Sequence, residues 1–330
     1  LLIFILDRGI KMGTLYIDQK NINIEAEGNC LVFYEDGERK GTVPISPLER
    51  VVIIGNVKIE TAVLHKLALN NVSCVFLSGR NLNFRGILHG RLHQNGLLRL
   101  KQYEKSLTNF ALFVARDLIS TKLTKQLSFL SYLAGLISNH RFELTSSIQT
   151  INDILSNLND QTSLDSLRGL EGSAARSYFR ALTFAFPLSL KFHGRNRRPP
   201  QDPVNSLLSL GYTLLHFELV REIETVGLDP TIGYFHSFEY GRESLACDFC
   251  EAFRPDVDRF VFELFRRRDF REYDFAIINQ QGINACYLKK QSKKKYFEFY
   301  EGWARDNRPL WSEKVRLLAK MVMNDESSVC

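Results

Sequence analysis

The sequence predicts an α+β chain: a small β-rich N-terminal domain followed by a larger all-α domain. Three observations carry this prediction. Up to about Gly96 the apolar residues alternate with polar ones or come in short β-branched runs, whereas beyond it they recur every three or four positions. The turn signal Asp36-Gly37 falls in the first part, and helix punctuation by proline falls in the second. A chain of 330 residues is long enough for two domains. The boundaries read as 12–96 for the β-rich domain and 97–330 for the helical one. Residues 1–11, LLIFILDRGIK, precede Met12 and are set aside as an extension, a fusion remnant or a further strand.

Within the first domain, TLYID is a short run of β-formers, and NINIEAE alternates Ile22, Ile24 and Ala26 with polar neighbours. CLVFYE and ERKGTVPI flank Asp36-Gly37, where both turn positions tolerate positive φ, so a two-residue hairpin is expected. ERVVIIG and VSCVFLS read as buried strands. Between them KIETAVLHKLALN carries Val63, Leu64, Leu67 and Leu69 at helical spacing. In the second domain helical periodicity covers 97–136, 144–158, 163–186, 203–226, 242–252, 257–268 and 312–323, with Ser312 as a capping residue. Pro187, Pro199-Pro200, Pro230 and Pro255 separate the segments.

Composition narrows the function classes. Hydrophobic residues make up 45% and charged residues 24%, which excludes a disordered chain. No apolar run approaches the roughly 18 residues of a membrane span. Six scattered cysteines form no disulfide framework and suit a reducing, cytoplasmic setting. The net charge of +6 is unevenly placed: nine basic and three acidic residues lie between Arg266 and Lys295, so the rest of the chain is neutral. A second acid-free cluster, KFHGRNRRPP, holds Lys191, Arg195, Arg197 and Arg198. Cations clustered on a neutral body are the footprint of a polyanion binder, although a solvated helix face looks the same in sequence.

No phosphate-binding glycine loop, dinucleotide fingerprint or nucleophile elbow occurs. Cys247 and Cys250 form a CxxC without a second pair, which reads as two small residues on a helix. The run SLACDFCEAFRPDVDR sets Asp248 and Glu251 three apart, on one helix face. Two carboxylates that close repel unless a proton or cation lies between them, and a divalent metal is one solution. His236 follows an aromatic pair in GYFH, and Glu171 lies in RGLEGSAARSYF, a small-residue helix that another backbone could approach closely. On spacing alone a surface acid pair and a structural histidine remain open readings.

Taken together, RGLEGSAARSYF, GRNRRPPQDPVNSLLSLGYTLL and GLDPTIGYFHSFEYGRESLACDFCEAFRPDVDR resemble, in order and spacing, the signature of the CRISPR-associated Cas-one family, the metal-dependent endonuclease/integrase of spacer acquisition. The resemblance spans about Arg168 to Arg259 and implies the same β-then-α layout, with the helical domain catalytic. It implies a divalent ion, Mg²⁺ or Mn²⁺, held by Glu171, His236 and Glu251, with Asp248 as a further catalytic residue, either supporting the ligands or meeting a second metal. Cys247, Phe249 and Cys250 depart from the residues usual in that family. The implied reaction joins a DNA 3′-hydroxyl to a phosphodiester of the CRISPR array. Its implied partners are double-stranded DNA (protospacer and array), a second copy in a homodimer, and the Cas-two protein. Arg197 and Arg198, with Lys289, Lys290, Lys293, Lys294 and Lys295, are the expected DNA-binding residues. Two other readings stand beside this one: a non-catalytic DNA-binding subunit, and a metal-dependent phosphoesterase acting on a small substrate.

Overall fold

The computed structural model describes residues 2–5, 13–79, 82, 84–90, 93, 95–196, 199–280 and 282–324. The chain divides into two compact units, Leu1–Gln94 with Lys290–Pro309, and Asn95–Lys289 with Leu310–Cys330. A stretch from near the C-terminus thus belongs with the N-terminal strands.

The first unit holds β1 (Leu2–Ile5), β2 (Gly13–Ile17), β3 (Ile22–Glu27), β4 (Cys30–Glu35), β5 (Glu38–Pro44), β6 (Leu48–Ile54), β7 (Lys58–Ile59), α1 (Thr61–Leu69), β8 (Ser73–Leu77) and β9 (Phe84–Leu88). They form a five-stranded mixed sheet, β1-β2-β6-β8-β9, and a four-stranded one, β5-β4-β3-β7. Leu2–Ile5, from the segment set aside in the sequence, pairs antiparallel with β2. The hairpin expected at Asp36-Gly37 forms as a two-residue loop closed by Glu35 opposite Glu38, with φ of 52° and 82° at its two positions. Strand alternation then turns one set of side chains inward: Ile24, Phe33 and Ile53 meet Val63 and Leu67 of α1 in a single apolar core.

The second unit holds α2 (Gly96–Ser106), α3 (Asn109–Leu136), α4 (Arg141–Ser156), α5 (Leu164–Leu182), α6 (Pro203–Val226), α7 (Ser244–Arg266), β10 (Phe275–Gln280) and β11 (Ile283–Leu288). A last helix, α8 (Lys290–Met323), gives its first part to the first unit and the remainder to the second. Local chemistry sets several boundaries. Asp202 accepts a hydrogen bond from Asn205 N, Pro203 opens α6, and Gly227 closes it with φ 99°.

The helical segments differ from their sequence reading in three places. The 97–136 pattern is broken at Leu107 and Thr108, where Thr108 caps α3 through Phe110 N. The segments 242–252 and 257–268 are one helix running through Pro255, and 312–323 is the end of a 34-residue helix running through Pro309. Each proline removes one backbone donor, yet burial on either side of Pro255 keeps α7 continuous. The antiparallel pair β10–β11 also stands among the helices, in a stretch where the sequence predicted no strand. No helix among the described residues is long and apolar enough to cross a membrane.

Candidate functional site

Helix α3 packs against both α5 and α7 in the second unit, which brings three distant side chains to one point. Lys122 of α3 is buried and donates through Nζ to Glu171 Oε1 of α5 and to Glu251 Oε2 of α7. The second oxygen of Glu251 accepts from Arg254 one turn further along α7. Two carboxylates from separate helices thus share one cation. Burial pulls the Lys122 ammonium below its ordinary range, and Glu171 opposes that shift. Lys122 belongs to a leucine-rich helical pattern, and nothing in that pattern marked it as a site residue.

Asp248 and His236 form the neighbouring part of the site. Asp248 is fully buried on α7, and its Oδ2 accepts from the backbone N–H groups of Tyr234 (2.6 Å) and Phe235 (2.9 Å). Its Oδ1 accepts from His236 N (2.9 Å) and meets His236 Nδ1 at 2.6 Å. With Nδ1 carrying the proton toward the carboxylate, Nε2 keeps the lone pair through which the ring can bind a cation. The carboxylate is therefore spent on the loop and the imidazole.

The loop that presents His236 is held from several sides. Gln102 of α2 donates to the carbonyls of Asp229 and Ile232, each at 2.9 Å, and accepts from Asp229 N at 2.7 Å. Arg168 of α5 donates to Phe235 O at 2.7 Å. Gly233 is required by close approach, because a Cβ there would stand 2.8 Å from Asp248 Oδ2 and 2.9 Å from Ser244 Cβ. The glycines beside Glu171 behave differently: a Cβ at Gly169 or Gly172 meets nothing, so the close backbone contact expected there is not made.

Of the four expected residues, Glu171 and Glu251 converge on one cation and Asp248 holds His236. Among the described residues, no three His, Cys, Asp or Glu side chains are gathered closely enough to hold one metal ion. The three-ligand cage is therefore not closed in this arrangement, and the position shared by the two glutamates is taken by the Lys122 ammonium. The donor chemistry nevertheless suits a divalent ion: two carboxylates already gather around a positive charge, and an imidazole is oriented by a buried acid.

The expected DNA-binding residues have varied fates. Arg197 and Arg198 lie outside the described residues. Arg195, from the same cluster, turns inward to Asn205 (2.8 Å) and Ser209 (3.0 Å) and covers the Tyr212 ring. Lys293 is buried, with its ammonium on Gly79 O at 3.0 Å and Asp18 at 3.7 Å, so it supports the first unit and offers no surface charge. Lys290, Lys294 and Lys295 are exposed, Lys294 lying 3.8 Å from Glu298. Lys289 donates to Tyr273 O at 2.7 Å.

The chain is thus a β-rich unit followed by a helical one, in which a loop histidine held by the buried Asp248 accompanies the glutamates of α5 and α7. The family described as CRISPR associated protein Cas1 matches residues 15–302, and the chain belongs to that family. The CRISPR-associated endonuclease Cas1 1 of Thermodesulfovibrio yellowstonii is 47% identical over 319 residues, covering 96% of this chain and 99% of the relative. Among solved structures, the chain resembles a component of a Cas6-RT-Cas1–Cas2 complex with a TM-score of 0.82 at 21% identity, over 98% of this chain and 36% of that one. It also resembles a casposase bound to its integration product, with a TM-score of 0.80 at 23% identity, over 96% and 92% of the two chains. At these identities the structural likeness is one of fold.

Proposed function

We propose that the acid–imidazole centre is where this Cas1-family endonuclease/integrase of CRISPR adaptation acts on DNA. Its work is the joining of spacer 3′-hydroxyls to the array by phosphodiester transesterification. The observation that carries the reading is the convergence of Glu171 and Glu251, from separate helices, on one cation. Glu171, Glu251 and the Nε2 nitrogen of His236 would hold Mg²⁺ or Mn²⁺. When bound, the ion polarises the scissile phosphate and lowers the pKa of the attacking hydroxyl. Asp248 fixes the tautomer and direction of His236, and its backbone partners keep the loop from turning away. Lys122 and Arg254 neutralise Glu251 and keep its carboxylate ordered.

The casposase and the Cas1–Cas2 assembly that share this fold support DNA and a Cas2 protein as partners. A homodimer working in the cytoplasm completes the reading, with Lys290, Lys294 and Lys295 adding sequence-independent attraction to DNA. The test is strand joining with the purified Cas2 partner, a supercoiled array plasmid and Mn²⁺ or Mg²⁺. Glu251→Ala and His236→Ala are each expected to lower joining by roughly 5 kcal/mol, close to four orders of magnitude, while retaining much of the DNA affinity. Joining at wild-type rate in both variants rejects the assignment.

A further inference from the structure

The CxxC of α7 is not an isolated pair. His216 of α6 lies beside it, with Nδ1 3.8 Å from Cys250 Sγ and Nε2 3.3 Å from the carboxylate of Glu243. Nε2–H faces the Glu243 carboxylate, and Nδ1 faces the thiol, whose proton it can take up to leave an imidazolium beside a thiolate. This is the order of a nucleophile, a base and an orienting acid. Thiol and carboxylate face opposite nitrogens of the ring, so the group is a relay and does not surround an ion, in keeping with the lack of a three-ligand cluster among the described residues. Cys247 is half-buried one turn before Cys250 on the same helix, whereas Cys250 is buried. Burial alone would raise the Cys247 thiol, but His216 and Arg242 outweigh it and bring it below its ordinary value. Burial likewise works against the charged imidazole of His216, and the neighbouring Cys247, Cys250 and Glu243 lift it well above its usual range.

We propose that Cys247 and Cys250, served by His216 and Glu243, form a peroxide-reactive dithiol that closes to a disulfide and thereby disturbs the neighbouring acid–imidazole centre. The thiolate of Cys247 attacks one oxygen of hydrogen peroxide. The O–O bond breaks, Cys247 becomes a sulfenic acid, and the hydroxide released takes up the thiol proton as water. The Cys250 sulfur then attacks the sulfenic sulfur. An S–S bond forms, and hydroxide leaves as water with the Cys250 proton, relayed through His216. Two thiols are oxidised by two electrons, and one peroxide is reduced to two waters.

Helix geometry supplies the consequence. Side chains three apart on a helix have Cβ atoms about 5–6 Å apart, whereas a disulfide needs roughly 3.5–4.5 Å. Closure therefore draws in the turn that contains Asp248 and immediately precedes Glu251. Asp248 keeps its four partners at 2.6–2.9 Å and has no slack to follow that movement. This consequence rests on the proposed function, whereas the thiol chemistry does not.

The test uses the reduced full-length protein, a small excess of hydrogen peroxide, alkylation of the remaining thiols and peptide mass spectrometry. The half-buried free thiol of Cys30 serves as internal reference. The expected product is a Cys247–Cys250 disulfide formed about tenfold or more faster than Cys30 is oxidised. His216→Ala slows it by a similar factor with an unchanged circular dichroism spectrum, and Cys250→Ser stops at a sulfenic acid trapped by dimedone. Oxidation is expected to suppress DNA joining in the wild type, with recovery in dithiothreitol, and to spare the Cys247→Ser variant. Oxidation of Cys247 no faster than of Cys30, or absence of the internal disulfide, overturns the dithiol site. A disulfide that leaves joining unchanged overturns its coupling to the centre. A protein inactive before peroxide is added defeats the integrase reading alone, since the mass spectrum still decides the thiol chemistry.

Discussion

Helix α7 buries Glu251 and, about two turns further on, Asp258, and it satisfies them by opposite means. Glu251 is matched by positive charge, with the ammonium of Lys122 on one oxygen and the guanidinium of Arg254 on the other. Asp258 is met by neutral donors, the hydroxyls of Tyr178 (2.9 Å) and Tyr212. Burial lifts the Asp258 carboxyl to about 6 even though both phenols oppose the shift. The contrast separates two uses of a buried acid. A carboxylate compensated by a cation can exchange that cation for another, whereas one wrapped by phenols is committed to joining α5, α6 and α7. Arg254 touches both groups, pairing with Glu251 and lying 5.2 Å from the centroid of the Tyr212 ring.

Breaking the charged side of this comparison is expected to have the largest effect on the fold. Lys122→Met leaves Glu171 without its cation, and loss of one partner from a buried ion pair costs about 3 kcal/mol. Thermal unfolding of the metal-free variant should fall by roughly 5–10 °C. Mn²⁺ should restore more stability to the variant than to the wild type, because the ammonium no longer competes for the two glutamates. A variant as stable as the wild type would mean that Lys122 compensates nothing.

On the neutral side the expected effect is slightly smaller and depends on pH. Asp258 titrates near 6 in the fold against 3.8 unfolded, so the folded state holds its proton more tightly. Stability is then fully present below about pH 3.8, declines as pH rises to about 6 and is level above it, a loss of about 2–3 kcal/mol. Asp258→Asn removes this decline. Chemical denaturation of both proteins at pH 4 and pH 7 should show the wild type losing that much relative to the variant, and equal losses would place the carboxyl near its ordinary value.

Asp248→Asn sharpens the comparison from within the proposed centre. It places an amide donor against backbone donors and weakens the anchor of His236. Removal of such a positioning partner should lower joining or Mn²⁺ affinity by about 10–100-fold, with Mn²⁺ binding read by electron paramagnetic resonance. The smallest effect is expected at the surface. Lys294→Glu should flatten the dependence of DNA affinity on salt by about one unit per lost phosphate contact. Lys293→Glu should instead destabilise the first unit, since that ammonium is already used on Gly79 and Asp18.

Much of the architecture was legible in the chain. Period-two strands, the Asp36-Gly37 hairpin and the helices of the second part are local patterns, and they formed where the residues demanded them. The continuity of α7 through Pro255 and of α8 through Pro309 was not legible, because proline ends a helix unless packing on both sides outweighs the lost hydrogen bond. The pair β10–β11 was missed for another reason: FAIINQQGINACYL is uncharged and apolar but lacks clean alternation, and the basic runs on either side drew the reading to charge.

By itself the sequence determined the layout of strands and helices, the spacing of Asp248 and Glu251 on one helix face, and membership of a family through its motifs. Only the tertiary structure decided that Lys122 stands between Glu171 and Glu251, that Asp248 is spent on His236 and its loop, and that Lys293 is a buried support. The physical reason is distance along the chain. A helix or turn follows from neighbours a few residues apart, whereas the partner of a buried charge is set by which helices pack together.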